Sequence, residues 1–291
     1  MAPSDRVPAW LRASASRRDF ARGGAAFFGT AALLPGCITA TDDDSTADDD
    51  STGDDDSVGD DDSASSLWAT GGAAAVGGPY DDPFSVPDPA PCALLCSATL
   101  GPCYGETFDR KDISDGEPGL PMRIVFLVLD EACNPVPGAE VDIWHTSVIG
   151  LYSGDDTAQM CTDGNEAALQ SHWFRGKQTA DASGRVEFDS CFPGWYPSRA
   201  LHIHLTVRVG GDNFVNSQLY FPHDLQDDVL VTHPDYSERG LAQVSNSEDG
   251  ILPQEAGDAV LFRWARMDDG VLMVWKTLVV RSSLADPLCA T

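Results

Sequence analysis

Phe192-Pro193-Gly194-Trp195-Tyr196-Pro197-Ser198-Arg199-Ala200-Leu201-His202-Ile203-His204-Leu205 places a phenol, a guanidinium and two imidazoles within the nine positions from Tyr196 to His204. Side chains alternate between the two faces of an extended chain, so a strand through His202-Ile203-His204 turns both imidazoles the same way. Two neutral imidazoles on one face form a natural metal-binding pair. Tyr196 adds a hard oxygen donor just upstream. Arg199 adds a charge able to hold a negative charge that develops on a bound substrate.

Outward from this stretch, strand signals dominate. Met122–Leu129 is an aliphatic, β-branched run ending before Asp130, and Asn134-Pro135-Val136-Pro137-Gly138 reads as a turn. Ala139–Trp144 alternates as a half-buried strand does, and Gly184–Asp189 alternates again after the turn Asp181-Ala182-Ser183-Gly184. Leu201–Val209, Val215–Phe221 and Val271–Val280 complete the set, and helical periodicity is scarce. Short strands at regular spacing predict an all-β domain, an antiparallel sandwich or barrel, over residues 91–291. Roughly 200 residues suffice for a sizeable core.

Ahead of that domain lie two segments of different character. Residues 1–36 read as an export signal: Ser16-Arg17-Arg18-Asp19-Phe20 resembles a twin-arginine motif, and Ala25–Leu34 is an apolar run. That run is shorter than the ~20 residues of a membrane-spanning helix. Leu33-Leu34-Pro35-Gly36-Cys37 resembles a bacterial lipobox, which predicts an exported protein held to a membrane, periplasmic or at the cell surface, by a lipid on Cys37. Residues 37–90 read as a linker, first Asp-rich and then rich in Gly and Pro. The Asp-rich block cannot bury apolar surface, and its charges repel one another.

The chain carries a formal charge of −28, of which residues 42–62 contribute twelve aspartates and the preceding residues +3, leaving 63–291 at −19. Nucleic-acid binding rests on a basic footprint and is excluded as a function on this ground. With Cys37 lipidated, seven cysteines remain: Cys92, Cys96, Cys103, Cys133, Cys161, Cys191 and Cys289. An exported chain favours structural disulfides among them. An odd count leaves at least one thiol outside any internal bridge, and the pairing stays open.

Five blocks, in order, resemble the intradiol ring-cleavage dioxygenases, ferric enzymes that open catechols between their two hydroxyls. They are Leu100-Gly101-Pro102-Cys103-Tyr104; Pro135–Trp144 followed by Gly150-Leu151-Tyr152; Arg175–Gly184, which resembles a turn preceding the next strand; Pro193–His204; and Ser217–Phe221. The first block has Leu100 where relatives often carry Glu, and an uncommon Cys103. The gap from Tyr196 to His202 is shorter than in many catechol-type members. The resemblance implies an immunoglobulin- or prealbumin-like sandwich whose long loops carry the site. It implies Fe(III) held by Tyr152, Tyr196, His202 and His204, with Arg199 and Gln218 beside the substrate. It further implies a small aromatic diol and O2 as substrates and a muconate-type dicarboxylate as product. Tyr196 would leave the metal on substrate binding and act as a base, Arg199 would stabilise developing negative charge, and an oligomer is compatible with the family.

Donor chemistry supports that set independently: Fe(III) is a hard ion, and two phenolates and a hydroxide balance its charge. His145, His172, His223 and His233 are expected outside the ligand set, and Trp144, Trp173 and Trp195 in the core or pocket wall. Two other readings stand beside the first: a non-catalytic β-sandwich binding module at the cell surface, and a different metal, Cu or Zn, at the histidine pair.

Overall fold

The structure is a computed structural model that describes residues 67–86, 92–252, 257 and 259–289. The segment expected to be an export signal, Cys37 and the Asp-rich block lie outside the described residues.

Among the described residues, eight strands form two four-stranded sheets. β1 (Pro121–Asp130), β4 (Arg185–Cys191), β7 (Arg263–Arg266) and β8 (Leu272–Val280) make the first, in the order β4-β1-β8-β7. β2 (Glu140–Trp144), β3 (Arg175–Thr179), β5 (His202–Val209) and β6 (Asp212–Tyr220) make the second, in the order β3-β2-β5-β6. The sandwich agrees with the expected fold. One pairing departs from the antiparallel rule: β1 and β8 run parallel.

Met122, Ile124, Phe126 and Val128 of β1 face Val141 and Ile143 of β2 and Ile203, Leu205 and Val207 of β5 across a single apolar core. Val125, on the other face of β1, is covered as well, by Met273 and Trp275 of β8 and by Ala69, Val76, Tyr80 and Phe84. A strand covered on both faces loses its alternation and reads as a continuous apolar run.

Residues 67–86, within the stretch expected as a linker, pack onto the sandwich. Trp68 joins the main core and its Nε1–H donates to Asp228 Oδ2 at 3.0 Å. Isolated aromatics in a Gly- and Pro-rich stretch carry no period, so the sequence pattern did not reveal this packing.

Two further elements were not expected as strand or helix, and Arg175–Thr179, expected within a turn, is the strand β3. β3 is polar and contains Gly176, whose Cβ would lie 2.3 Å from Ile113 Cγ2. α2 (His223–Thr232) buries Leu225, Gln226, Val229 and Leu230 in only ten residues. Two single-turn helices, α1 (Glu166–Leu169) and α3 (Pro234–Ser237), and 3-10 turns at Ala73–Ala75 and Pro83–Ser85 complete the described elements. Disulfides join Cys92 to Cys133, Cys96 to Cys289 and Cys103 to Cys161, and Cys191 is a buried free thiol.

Candidate metal centre

The odd positions of β5 fill the core, so its even positions point to the outer face of the second sheet. Strand register extends that face sideways: Arg175, Trp144, His204 and Gln218 are direct partners in a row across β3, β2, β5 and β6. His202 pairs with Tyr220 one step along. The loops after β2 and β4 cover this face and keep it dry; His202 and His204 are each 3% exposed.

Those two loops pack backbone against backbone, which glycine alone permits. A Cβ on Gly150 would lie 2.1 Å from the Trp195 carbonyl oxygen, and one on Gly194 would lie 2.2 Å from that of Val148. Gly194 N–H donates to Ser147 O at 3.0 Å and Thr146 Oγ1 to Gly194 O at 2.6 Å. The zipped loops deliver Tyr152 and Tyr196 side by side over the histidines. Gly101, at φ +78°, closes the far wall, where a Cβ would sit 2.9 Å from His204 Cε1.

All four expected ligands meet there. The Tyr152 hydroxyl lies 3.5 Å from that of Tyr196 and 3.4 Å from His202 Nε2. Tyr196 is also 3.4 Å from His202 Nε2, and the two Nε2 atoms are 3.0 Å apart. Donors spaced like this can surround a point roughly 2 Å from each, a usual first-row metal–nitrogen distance. Tyr152 is fully buried, whereas Tyr196 is half-buried on the open side. Trp144 stacks on His204 with centroids 5.0 Å apart and planes 8° from parallel, the wall role expected of it.

Electrostatics test the fit to a cation. Burial, and then Arg199, push His202 down to about 3. Burial and His202 push His204 well below its usual value, so both rings are neutral. His202 Nδ1–H donates to Ala200 O at 2.7 Å, which leaves its Nε2 with a lone pair aimed at the cluster. His204 Nδ1 is buried without a partner. A proton on His204 Nε2 strands the Nδ1 lone pair; a proton on Nδ1 sets two lone pairs face to face. A cation among the four donors removes the second conflict. Burial and the neighbouring Tyr196 push the Tyr152 phenol well above its usual value, so a phenolate there calls for a positive charge. Among the described residues no group of three or more His, Cys, Asp or Glu side chains is placed to hold a metal ion, so a site here depends on the phenols. The residues fit a hard, oxygen-seeking cation.

Arg199 and Gln218 stand beside this cluster. Arg199 Nη2 donates to Gln218 Oε1 and, at 3.0 Å, to the Tyr220 hydroxyl. Gln218 Nε2 donates to Thr99 O at 3.0 Å. The Arg199 Nε–H meets the buried Asp249 carboxylate at 2.9 Å. Asp249 also accepts from the N–H groups of Ala200, Ile251 and Leu252 at 2.7, 2.8 and 3.0 Å. Burial pushes the Asp249 carboxyl up, but Arg199 and these donors outweigh it and hold it below the usual carboxylate range. Sequence reasoning missed Asp249, fifty positions from its partner in a stretch that reads as an ordinary polar turn.

The other histidines stay outside the cluster. His145 Nδ1–H donates to Thr146 O and its Nε2 accepts from Ser190. His172 packs against Phe108, His223 Nε2 accepts from Asn246 N–H, and His233 Nε2–H donates to Ala69 O.

The sequence profile of a family described as Dioxygenase matches residues 101–256. The chain is 33% identical over 138 residues to the protocatechuate 3,4-dioxygenase beta chain of Burkholderia cepacia, covering 43% of this chain and 54% of that one. It is 26% identical over 165 residues to a hydroxyquinol 1,2-dioxygenase of Rhodococcus opacus, covering 49% and 51%. The chain thus spans about half the length of the curated relatives it matches. Among solved structures, an intradiol ring-cleavage dioxygenase of Tetranychus urticae aligns over 68% of this chain and 98% of its own at a TM-score of 0.58 and 23% identity, a likeness of fold.

Proposed function

The chain belongs to the intradiol ring-cleavage dioxygenase family, and on that premise we propose that it opens a catechol-type aromatic with O2, using Fe(III), to a muconate-type dicarboxylate. The observation that carries the reading is the set of two phenols and two neutral imidazoles in which the Tyr152, Tyr196 and His204 donor atoms all lie 3.0–3.4 Å from His202 Nε2. Ferric iron, when bound, supplies the charge and redox chemistry through which a catechol becomes reactive toward O2, and both oxygen atoms end in the product.

The chain's own groups then divide the work. Tyr152, His202 and His204 would hold the metal from the buried side. Tyr196, half-buried on the open side, would complete the set and, as a phenolate, take a proton from a catechol hydroxyl at its phenol oxygen. Arg199 stabilises negative charge on the ring-derived oxygens. Gln218, Tyr220 and Asp249 hold its guanidinium in place. Loops 146–152 and 194–196 exclude water from the buried side of the ring.

Purified protein reconstituted with ferric iron tests the reading. Stoichiometric iron, a visible tyrosinate-to-iron absorption that shifts with catechol, and oxygen uptake yielding a ring-opened diacid are expected. A colourless protein that holds no iron would overturn it, and one that holds iron yet consumes no oxygen over a series of substituted catechols would leave a binding module. For its place in the cell, we propose export and anchoring through Cys37, tested by incorporation of labelled fatty acid and its loss in Cys37→Ala.

A further inference from the structure

The uncommon Cys103 of the Gly101-Pro102-Cys103-Tyr104 block has no part in the chemistry above. Its sulfur is bonded to Cys161, and both residues are buried, at 5% and 1% exposed. They pack in one cluster with Trp144 and Tyr152, against Leu100 and Tyr196.

The bridge joins the segment of the Gly101 wall, before β1, to the loop after β2 that carries Tyr152. Two positions before Cys103, Gly101 lies against the His204 ring. On the other loop, the Cys161 carbonyl accepts the Tyr152 N–H at 2.9 Å. A second, non-covalent tie runs alongside. Arg175 Nη2 donates to Cys103 O at 2.7 Å while its Nε–H donates to Ser153 O at 3.0 Å. Gly105 and Gly154 make room for that guanidinium, each with a Cβ position 3.4 Å from it. Tyr152 belongs to no strand; the packing of Gly150 and Gly194 holds its loop on one side, and these two ties hold it on the other.

We propose that the Cys103–Cys161 disulfide is a positioning clamp of the metal centre: it fixes the Tyr152 loop and the Gly101 wall against each other across His204, so that metal retention depends on this bridge and not on the other two. Cross-linking removes conformations in which the loops drift apart, which pre-organises the site before metal arrives. Cys92–Cys133 instead ties the start of the Gly101 wall segment to the turn after β1, and Cys96–Cys289 ties it to the stretch after β8; they serve as controls. The clamp rests on the metal reading above, so its test includes a measurement without metal.

Cys103→Ala/Cys161→Ala and Cys103→Ser/Cys161→Ser are compared with wild type and with Cys92→Ser/Cys133→Ser. In metal-free protein, hydrogen exchange at the Tyr152 amide should speed up about ten-fold or more in the clamp variants, with β1 and β5 amides unchanged. Their ferric iron retention against a competing chelator should fall about 10- to 100-fold, with a shifted or absent charge-transfer band, while the control keeps both. Wild-type exchange at Tyr152 in the clamp variants overturns the clamp even if no form binds iron. Equal iron loss in the control, or global unfolding of both clamp variants by circular dichroism, also overturns it, since the bridge then serves the whole fold. A wild type that binds no iron sinks the metal reading and leaves the exchange result to judge the clamp.

Discussion

The two faces of β5 obey different rules. Ile203, Leu205 and Val207 point inward and need only apolar neighbours of the right volume. His202 and His204 point outward into an equally dry space, but there each polar atom requires a partner. The inner face is complete as it stands. The outer face is left with an orphaned imidazole nitrogen and crowded donors. Burial alone therefore does not mark a core; burial with unmet polar demand marks a place built for something else.

Substitutions one residue apart test this contrast most sharply. His204→Ala is expected to abolish stoichiometric iron and the associated colour while the metal-free fold persists. Leu205→Ala is expected to cost about 2–5 kcal/mol of stability through the cavity it leaves, while the folded fraction keeps its iron. Metal analysis and denaturant titration on both variants check the pair, and the contrast between the faces fails if the two substitutions give the same profile.

The next effect falls on turnover alone. Arg199→Ala should retain iron and lose on the order of 10²–10³ in kcat, the range for a missing charge-stabilising donor. Asp249→Asn should do less, about ten-fold in kcat, because the guanidinium remains but its Nε anchor weakens. Stopped-flow oxygen consumption at saturating catechol ranks the two; equal losses would make Asp249 as important as the group it holds.

Sequence legibility divides along the same line. The inner face was readable because Val141 and Ile143 alternate with polar positions and β1 carries an unbroken apolar run from Ile124 to Leu129. The four donors were readable because they sit in local blocks, three of them within nine positions. Relations set by register or by distant packing left no trace. The row Arg175–Trp144–His204–Gln218 draws on four strands, and β3 itself is too polar to stand out. Asp249 and Trp68 reach their partners across 50 and 160 positions. The parallel β1–β8 pair joins opposite ends of the domain. Disulfide pairing follows the completed fold, so Cys103 was visible as an oddity and not as half of a clamp.

The smallest expected effect concerns His145, which sits just past β2 and carries no part of the chemistry. It is buried like the ligand histidines, yet both of its nitrogens are satisfied, by Thr146 O at 2.9 Å and Ser190 Oγ at 2.8 Å. Burial pushes its pKa down to about 4, below the roughly 6.5 of an unfolded chain. Between those values the unfolded state binds more protons, so stability contributed by the neutral ring is full above about 6.5 and is lost as pH falls toward 4. His145→Gln should lower stability at neutral pH and flatten that acid dependence in metal-free protein without changing iron content. Thermal melts across the window, wild type against variant, read the difference. An unchanged slope would mean that His145 does not titrate on unfolding, and iron loss in the variant would move it from the satisfied class to the demanding one.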